Sequence, residues 1–168
     1  MERKPSELRL PTTTVPVRLA LVGHDPGGAE LFLNQAVRKS RTAVVEAVGE
    51  LVDEPSAFLP VKGARDTVRL LAKHAIAWIA VNREKPSSDA DFDNVPSEVV
   101  TLYDRQHHVL VELENGKILN GTLFDSAPAD RPRVIDHLNR AGRFLRLWTT
   151  DEHYLINKEH ILAVVEQE

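Results

Sequence analysis

Phe58-Leu59-Pro60-Val61, followed by Leu70-Leu71-Ala72-Lys73 and then Ile76, is written twice in this chain. The second copy reads Phe144-Leu145-Arg146-Leu147, then Leu155-Ile156-Asn157-Lys158 and Ile161. The two Phe lie 86 positions apart (58 and 144) and the two Lys 85 (73 and 158). Upstream, Val48, Glu50 and Val52 fall on Val134, Asp136 and Leu138. A near-constant separation with matched apolar positions marks one supersecondary unit used twice. Two halves of the same topology are therefore expected. Phe58 and Phe144 are expected to be buried at equivalent points, where a helix hands over to the third strand.

The flanking pattern supplies the elements. Val17, Leu19 and Leu21 alternate with Arg18 and Ala20, the period of a half-buried strand. Asp25-Pro26-Gly27-Gly28 is a turn signal, and Leu31-Phe32-Leu33 resume a strand, so 16–37 reads as a hairpin. Val44, Val45, Val48, Leu51 and Val52 recur at helical spacing, with Ser40 or Thr42 as N-cap, and Pro55 ends that helix. Strands follow at 58–61, 67–72 and 76–81. In the second half, Val109, Val111 and Leu113 alternate before Asn115-Gly116, a hairpin signal attributed to a turn whose two residues both need positive φ. Ile118, Leu119, Leu123 and Phe124 carry the return strand. A short helix spans 132–140, with Asp130 as N-cap and Pro132 in its first turn. Strands at about 143–149, 153–157 and 160–166 complete the order. The fold class is mainly β (α+β): two tandem small barrels, each β-β-α-β-β-β. The expected partition is a flexible arm at 1–14, a first barrel at 15–82, a polar linker with two prolines at 83–97, and a second barrel at 98–168.

Composition narrows the function. A net charge of −4 argues against a large phosphate-binding surface while allowing a local basic patch. No cysteine is present, which removes disulfides, thiolate metal sites and a Cys nucleophile. Met1-Glu2-Arg3-Lys4-Pro5 leads into no apolar segment of the secretory type, and no apolar run is long enough to span a bilayer. A cytoplasmic, bacterial-type protein without a membrane role is expected.

The second half resembles the Sm-like family, the small barrels that include the bacterial Hfq proteins. The resemblance rests on Val109 to Gly116, then Lys117-Ile118-Leu119-Asn120-Gly121-Thr122-Leu123, where Gly121 in mid-strand suits a bent strand. It rests also on Tyr154-Leu155-Ile156-Asn157-Lys158-Glu159-His160-Ile161-Leu162-Ala163-Val164. It covers about 109–166, and 17–81 more faintly through the internal match. SH3-like barrels share the alternating strands and glycine turn. The resemblance implies an interaction surface near the inserted helix and the second motif: Arg133, Asn139, Arg140, Asn157 and Lys158. The chain departs from the family where the uridine-holding loop is replaced by the 132–140 helix. No aromatic is placed for base stacking either.

Other candidates compete with simpler readings. His153, His160 and Asp151 are the candidate metal ligands, but their spacing is not a tight ligand pattern, so no metal and no cofactor are expected. His24-Asp25 reads as the start of a turn rather than an acid–base pair. Gly23, Gly27 and Gly28 precede no helix and no Lys-Ser/Thr, so they form no phosphate loop. Trp78 and Trp148 suit core packing or burial between the halves. Arg131, Arg133, Arg140, Arg143 and Arg146 crowd the second helix and third strand and would form a basic patch if they shared a face. The expectation is a non-enzymatic adaptor or scaffold that binds a protein partner or itself. The alternative is an Sm-like RNA-binding protein.

Overall fold

The computed structural model describes residues 12–34, 41–82, 105–125, 134–140 and 142–167. The chain is mainly β, and ten strands among the described residues form one antiparallel sheet. The first half contributes β1 (Thr12–Leu21), β2 (Gly27–Asn34), α1 (Arg41–Asp53), β3 (Phe58–Lys62), β4 (Val68–Ala72) and β5 (Ile76–Asn82). The second contributes β6 (Arg105–Leu113), β7 (Ile118–Asp125), α2 (Val134–Leu138), β8 (Phe144–Trp148), β9 (Glu152–Asn157) and β10 (Ile161–Gln167). The order across the sheet is β10-β6-β7-β8-β9-β5-β1-β2-β3-β4. Each half thus runs fifth, first, second, third, fourth, and the halves meet where β5 pairs with β9.

The sheet is open, whereas two closed barrels were expected. The fourth and fifth strands of each half never pair with one another. β9 pairs with β5 of the other half, and β4 and β10 are left at the two ends. Within each half the ladder is thin between second and third strands. β2 and β3 share two residue pairs, and β7 and β8 share Thr122↔Trp148. Pro60 lies just beyond the β2–β3 pairs, where its missing N–H costs no ladder bond to β2. Gly121 is needed for close approach: a Cβ there would lie 2.6 Å from the Trp148 carbonyl oxygen.

Local chemistry agrees with these elements, with two revisions. β1 begins at Thr12, inside the stretch read as an arm. The Asn115-Gly116 turn forms, but only Gly116 has positive φ, at 91°. Asn115 instead accepts the Lys117 N–H on its Oδ1 at 2.9 Å, while the Gly116 N–H reaches the Leu113 carbonyl. The caps Ser40, Asp130 and Pro132 lie outside the described residues, as does the Thr42 side chain.

Two apolar cores form, and each borrows from the other half. The first gathers Val17, Leu19, Leu31, Leu33, Val45, Val48, Val52, Leu59, Val61 and Leu71, together with Phe144 and Leu155. The second gathers Val109, Val111, Leu113, Leu119, Leu123, Val134 and Leu147, together with Ala77, Trp78 and Ala80. The six residues Ile76 to Val81 of β5 are all buried because that strand divides its side chains between both cores.

This exchange corrects the expectation for Phe58. Phe144 is 5% exposed, but Phe58 is 56% exposed. Both open the third strand of their half. Phe144 enters the core of the first half, while Phe58, on the strand beside the end strand β4, belongs to neither core.

Truncating Phe144 to Ala should therefore lower the unfolding free energy by about 3–5 kcal/mol, the range for a buried aromatic. Phe58→Ala should stay within about 0.5 kcal/mol in dilute solution. Chemical denaturation of both variants checks the contrast.

Candidate functional site

Lys73 and Lys158, the shared lysines of the matched motif, both turn inward. Each opens a 3-10 turn, Lys73–Ala75 and Lys158–His160. Lys73 is fully buried and donates to the Leu51 and Glu54 carbonyls and to Ser56 Oγ, at 3.3, 2.9 and 3.2 Å. These oxygens lie at and just past the C-terminus of α1, where an ammonium satisfies orphan carbonyls and the helix dipole. Lys158 does the same in the second half, donating to the Arg140 carbonyl at 2.9 Å just past α2. Burial pushes both ammonium groups below the ordinary lysine range.

Asn157 is also fully buried. Its Nδ2 donates to the Lys73 and Ile76 carbonyls at 3.2 and 3.0 Å, and its Oδ1 accepts the Glu159 N–H. It thereby ties β9 to the turn before β5. Asn139 and Arg140 are exposed just after α2, and Arg133 lies outside the described residues. Of the five residues expected at an interaction surface, Lys158 and Arg140 touch, and Asn157 is directed into the joint between the halves. The arginine cluster is divided as well. Arg146 lies across Gly49 of α1 and donates to Glu46 at 2.7 Å, and Arg131 falls outside the described residues.

The joint is the most elaborate polar region described. β5 and β9 pair from Trp78↔Ile156 to Asn82↔Glu152. Arg18 grips Glu152 through two bonds, Nε to Oε2 at 2.9 Å and Nη2 to Oε1 at 2.6 Å. The Tyr154 hydroxyl donates to the same carboxylate at 3.0 Å. The Arg18 bonds hold the Glu152 carboxyl below the usual range, while burial and then Glu152 raise the Tyr154 phenol. Trp78 stacks edge-on with Tyr154 at 5.2 Å, with Arg18 and Lys117 each 5.3 Å from its ring centroid. Asp53 at the end of α1 accepts the Arg143 and Phe144 N–H groups. His160 faces acceptors on both ring nitrogens, Glu114 Oε1 and the His74 carbonyl, each at 2.7 Å. A cleft of about 280 Å³ opens there, lined by Leu21, Ala77, Leu113, Glu114 and His160.

The structure does not assemble the metal candidates. His153 packs edge-on against Trp148 at 3.5 Å and pairs in register with Val81, while His160 is engaged with Glu114. Among the described residues no group of three or more His, Asp or Glu side chains is placed to hold a metal. His24 and Asp25 line a second cleft of about 270 Å³ with Arg69. No described helix is long and apolar enough to cross a membrane.

The surfaces that stand out are the two ends of the sheet. Val68 and Leu70 on β4, and Leu162 and Val165 on β10, are exposed, with Phe58 beside the first pair on β3. Periodicity alone could not have found them, because their counterparts in the other half are buried. No family model matches the chain, and no curated protein or solved structure does so either.

Replacing Glu152 by Gln should weaken the protein at neutral pH. The depressed carboxyl contributes stability that is fully present above the unfolded glutamate pKa of about 4.3 and is lost as pH falls through the lower folded value. Unfolding curves of wild type and Glu152→Gln, measured from neutral to acid, should therefore converge at the acid end.

Proposed function

We propose that this protein is a non-enzymatic scaffold, made of two Sm-like or SH3-like halves joined in one open sheet, that binds protein by strand addition at its sheet ends. The observation that carries the reading is the row of exposed apolar residues on the end strands: Val68 and Leu70 at one end, Leu162 and Val165 at the other. End strands expose unpaired backbone donors and acceptors. Proteins usually blunt them with charge or proline, because apolar ends invite another strand. The buried and half-buried polar groups are engaged in holding the fold: Lys73 and Lys158 at helix ends, Asn157 and Glu152 across the joint. The cysteine-free composition suits work in the cytoplasm.

A pull-down with the immobilised chain tests the reading. Wild type should retain protein that the double variant Leu70→Lys, Leu162→Lys does not. Both positions are exposed in the single chain, so the variant should keep its circular dichroism spectrum and melting temperature. Equal retention by the two would refute binding at the ends.

Sm-like RNA binding is the alternative, and it has less support. Asn157 and Lys158, the second-motif pair, are directed inward, and Arg146 is paired with Glu46. Labelled oligo-U titrated at about 0.15 M salt, where the Debye length is about 8 Å, should show no submicromolar binding. Tight binding abolished by Arg140→Glu would reverse the ranking.

A further inference from the structure

We infer that the cleft beside β4 in the first half is a binding site for one tryptophan side chain, presented by the protein that docks there. The inference rests on reading the β4 end of the sheet as a protein-binding surface, and it names the group that such a partner must carry. Its template is the second half, where the equivalent place holds the indole of Trp78.

The two places correspond residue by residue. In the hairpins, Leu19 pairs with Gly27 as Val111 pairs with Leu119. Across the next ladder, Leu21 pairs with Ile76 as Leu113 pairs with Ile161. In the third and fourth strands, Val61 pairs with Arg69 as Leu147 pairs with Tyr154, and Leu59 with Leu71 as Leu145 with Ile156. Trp78 is fully buried and shares the second core with Val111, Leu113, Leu119, Leu147 and Ile156. Their counterparts are Leu19, Leu21, Gly27, Val61 and Leu71, and all of these line the cleft of about 270 Å³. Around its ring Trp78 meets Tyr154 edge-on, with Lys117 5.3 Å from the centroid. Arg69 stands in the cleft for Tyr154, and Asp25 for Lys117.

The residues explain why one place is filled and the other open. Trp78 leaves its own half on β5, so the first half puts no indole into its own core. Gly27 stands where Leu119 fills the second core, and a Cβ on Gly27 would meet nothing within 4 Å. The apolar floor is kept, but the rim has changed. Arg69 brings a planar cation that can lie over an aromatic face. Asp25 brings a carboxylate that can accept an indole N–H, whereas Trp78 Nε1 has no acceptor among the described residues.

Size and surroundings select the source of the ring. The cleft is smaller than the roughly 300–1,000 Å³ of small-molecule sites, which suits a single large side chain. Leu71 lines it from β4, an end strand whose outer edge is unpaired among the described residues. In the template, the indole arrives on a strand, with Trp78 paired to Ile156, the counterpart of Leu71. The chain has two tryptophans and both are buried in its fold, so the occupant comes from a different protein.

Fluorescence polarisation with labelled peptides tests the site. An extended peptide of Thr and Ser with one central Trp should bind the full chain. The same peptide with Ala in place of Trp should bind at least about tenfold more weakly, as for an interface anchor. Gly27→Leu, which installs the residue of the second half, should weaken the Trp peptide by a similar factor. It should keep the melting temperature, because Gly27 has no positive φ and open space beside it. Arg69→Ala should weaken the Trp peptide about threefold. Equal binding of the two peptides, no binding of either, or a Trp peptide indifferent to Gly27→Leu would overturn the site. Free indole that binds as tightly as the Trp peptide would overturn a protein as its source. The pull-down separates this failure from that of the underlying reading. Retention lost in Leu70→Lys, Leu162→Lys but kept in Gly27→Leu would overturn the tryptophan site alone, and equal retention by wild type and both variants would overturn the two together.

Discussion

The antiparallel ladder between β5 and β9 is the constraint on which the rest of the structure depends. It places a strand of each half against the core of the other, and the large residues on it follow. Trp78 leaves the half that encodes it and enters the second core, while Phe144 and Leu155 enter the first. A small unit of this size has too little apolar surface to be comfortable alone. Exchange across a shared ladder enlarges both cores without lengthening either half. The polar groups around the ladder serve the same end: Arg18, Glu152 and Tyr154 on one side, and Asn157 with two carbonyls on the other.

Much of this was legible in the sequence because it was stated twice. The Leu-x-x-Lys-x-x-Ile pattern fixes a strand, a 3-10 turn and a further strand in each half, and the helix before it falls at matching positions. The roles of the matched residues were less legible. A lysine in a polar turn resembles a ligand-binding residue, and only the position of the helix end shows that Lys73 and Lys158 cap it. Phe58 was misjudged for a different reason. A matched motif predicts a matched surroundings only if both copies have neighbours, and the first copy has one side open. Closed barrels failed similarly: strand order within a half does not reveal whether its fourth strand returns to its own fifth or passes to another's.

The lysines also show how a loop with little apolar content can be held firmly. Lys73 brings three oxygen acceptors together at the end of α1, and the Ala57 carbonyl accepts its backbone N–H. Lys158 makes the parallel pair of contacts with Arg140 and Arg143. In each half, one residue therefore joins the helix end to the start of the third strand and to the final turn. The helix is consequently fixed against the sheet by polar contacts at its C-terminal end as well as by its apolar face.

The borrowed aromatics have a consequence for the order of synthesis. A ribosome releases β1 to β5 well before Phe144 and Leu155 exist, so the first core must wait with two of its members missing and with Trp78 still in water. That interval exposes the same strand, β5, whose residues Ile76 to Val81 are later all buried. A nascent chain in that condition is a substrate for chaperones and a hazard for premature pairing with other copies. Folding of the first half is thus completed by residues translated more than sixty positions downstream of it (Asn82 to Phe144).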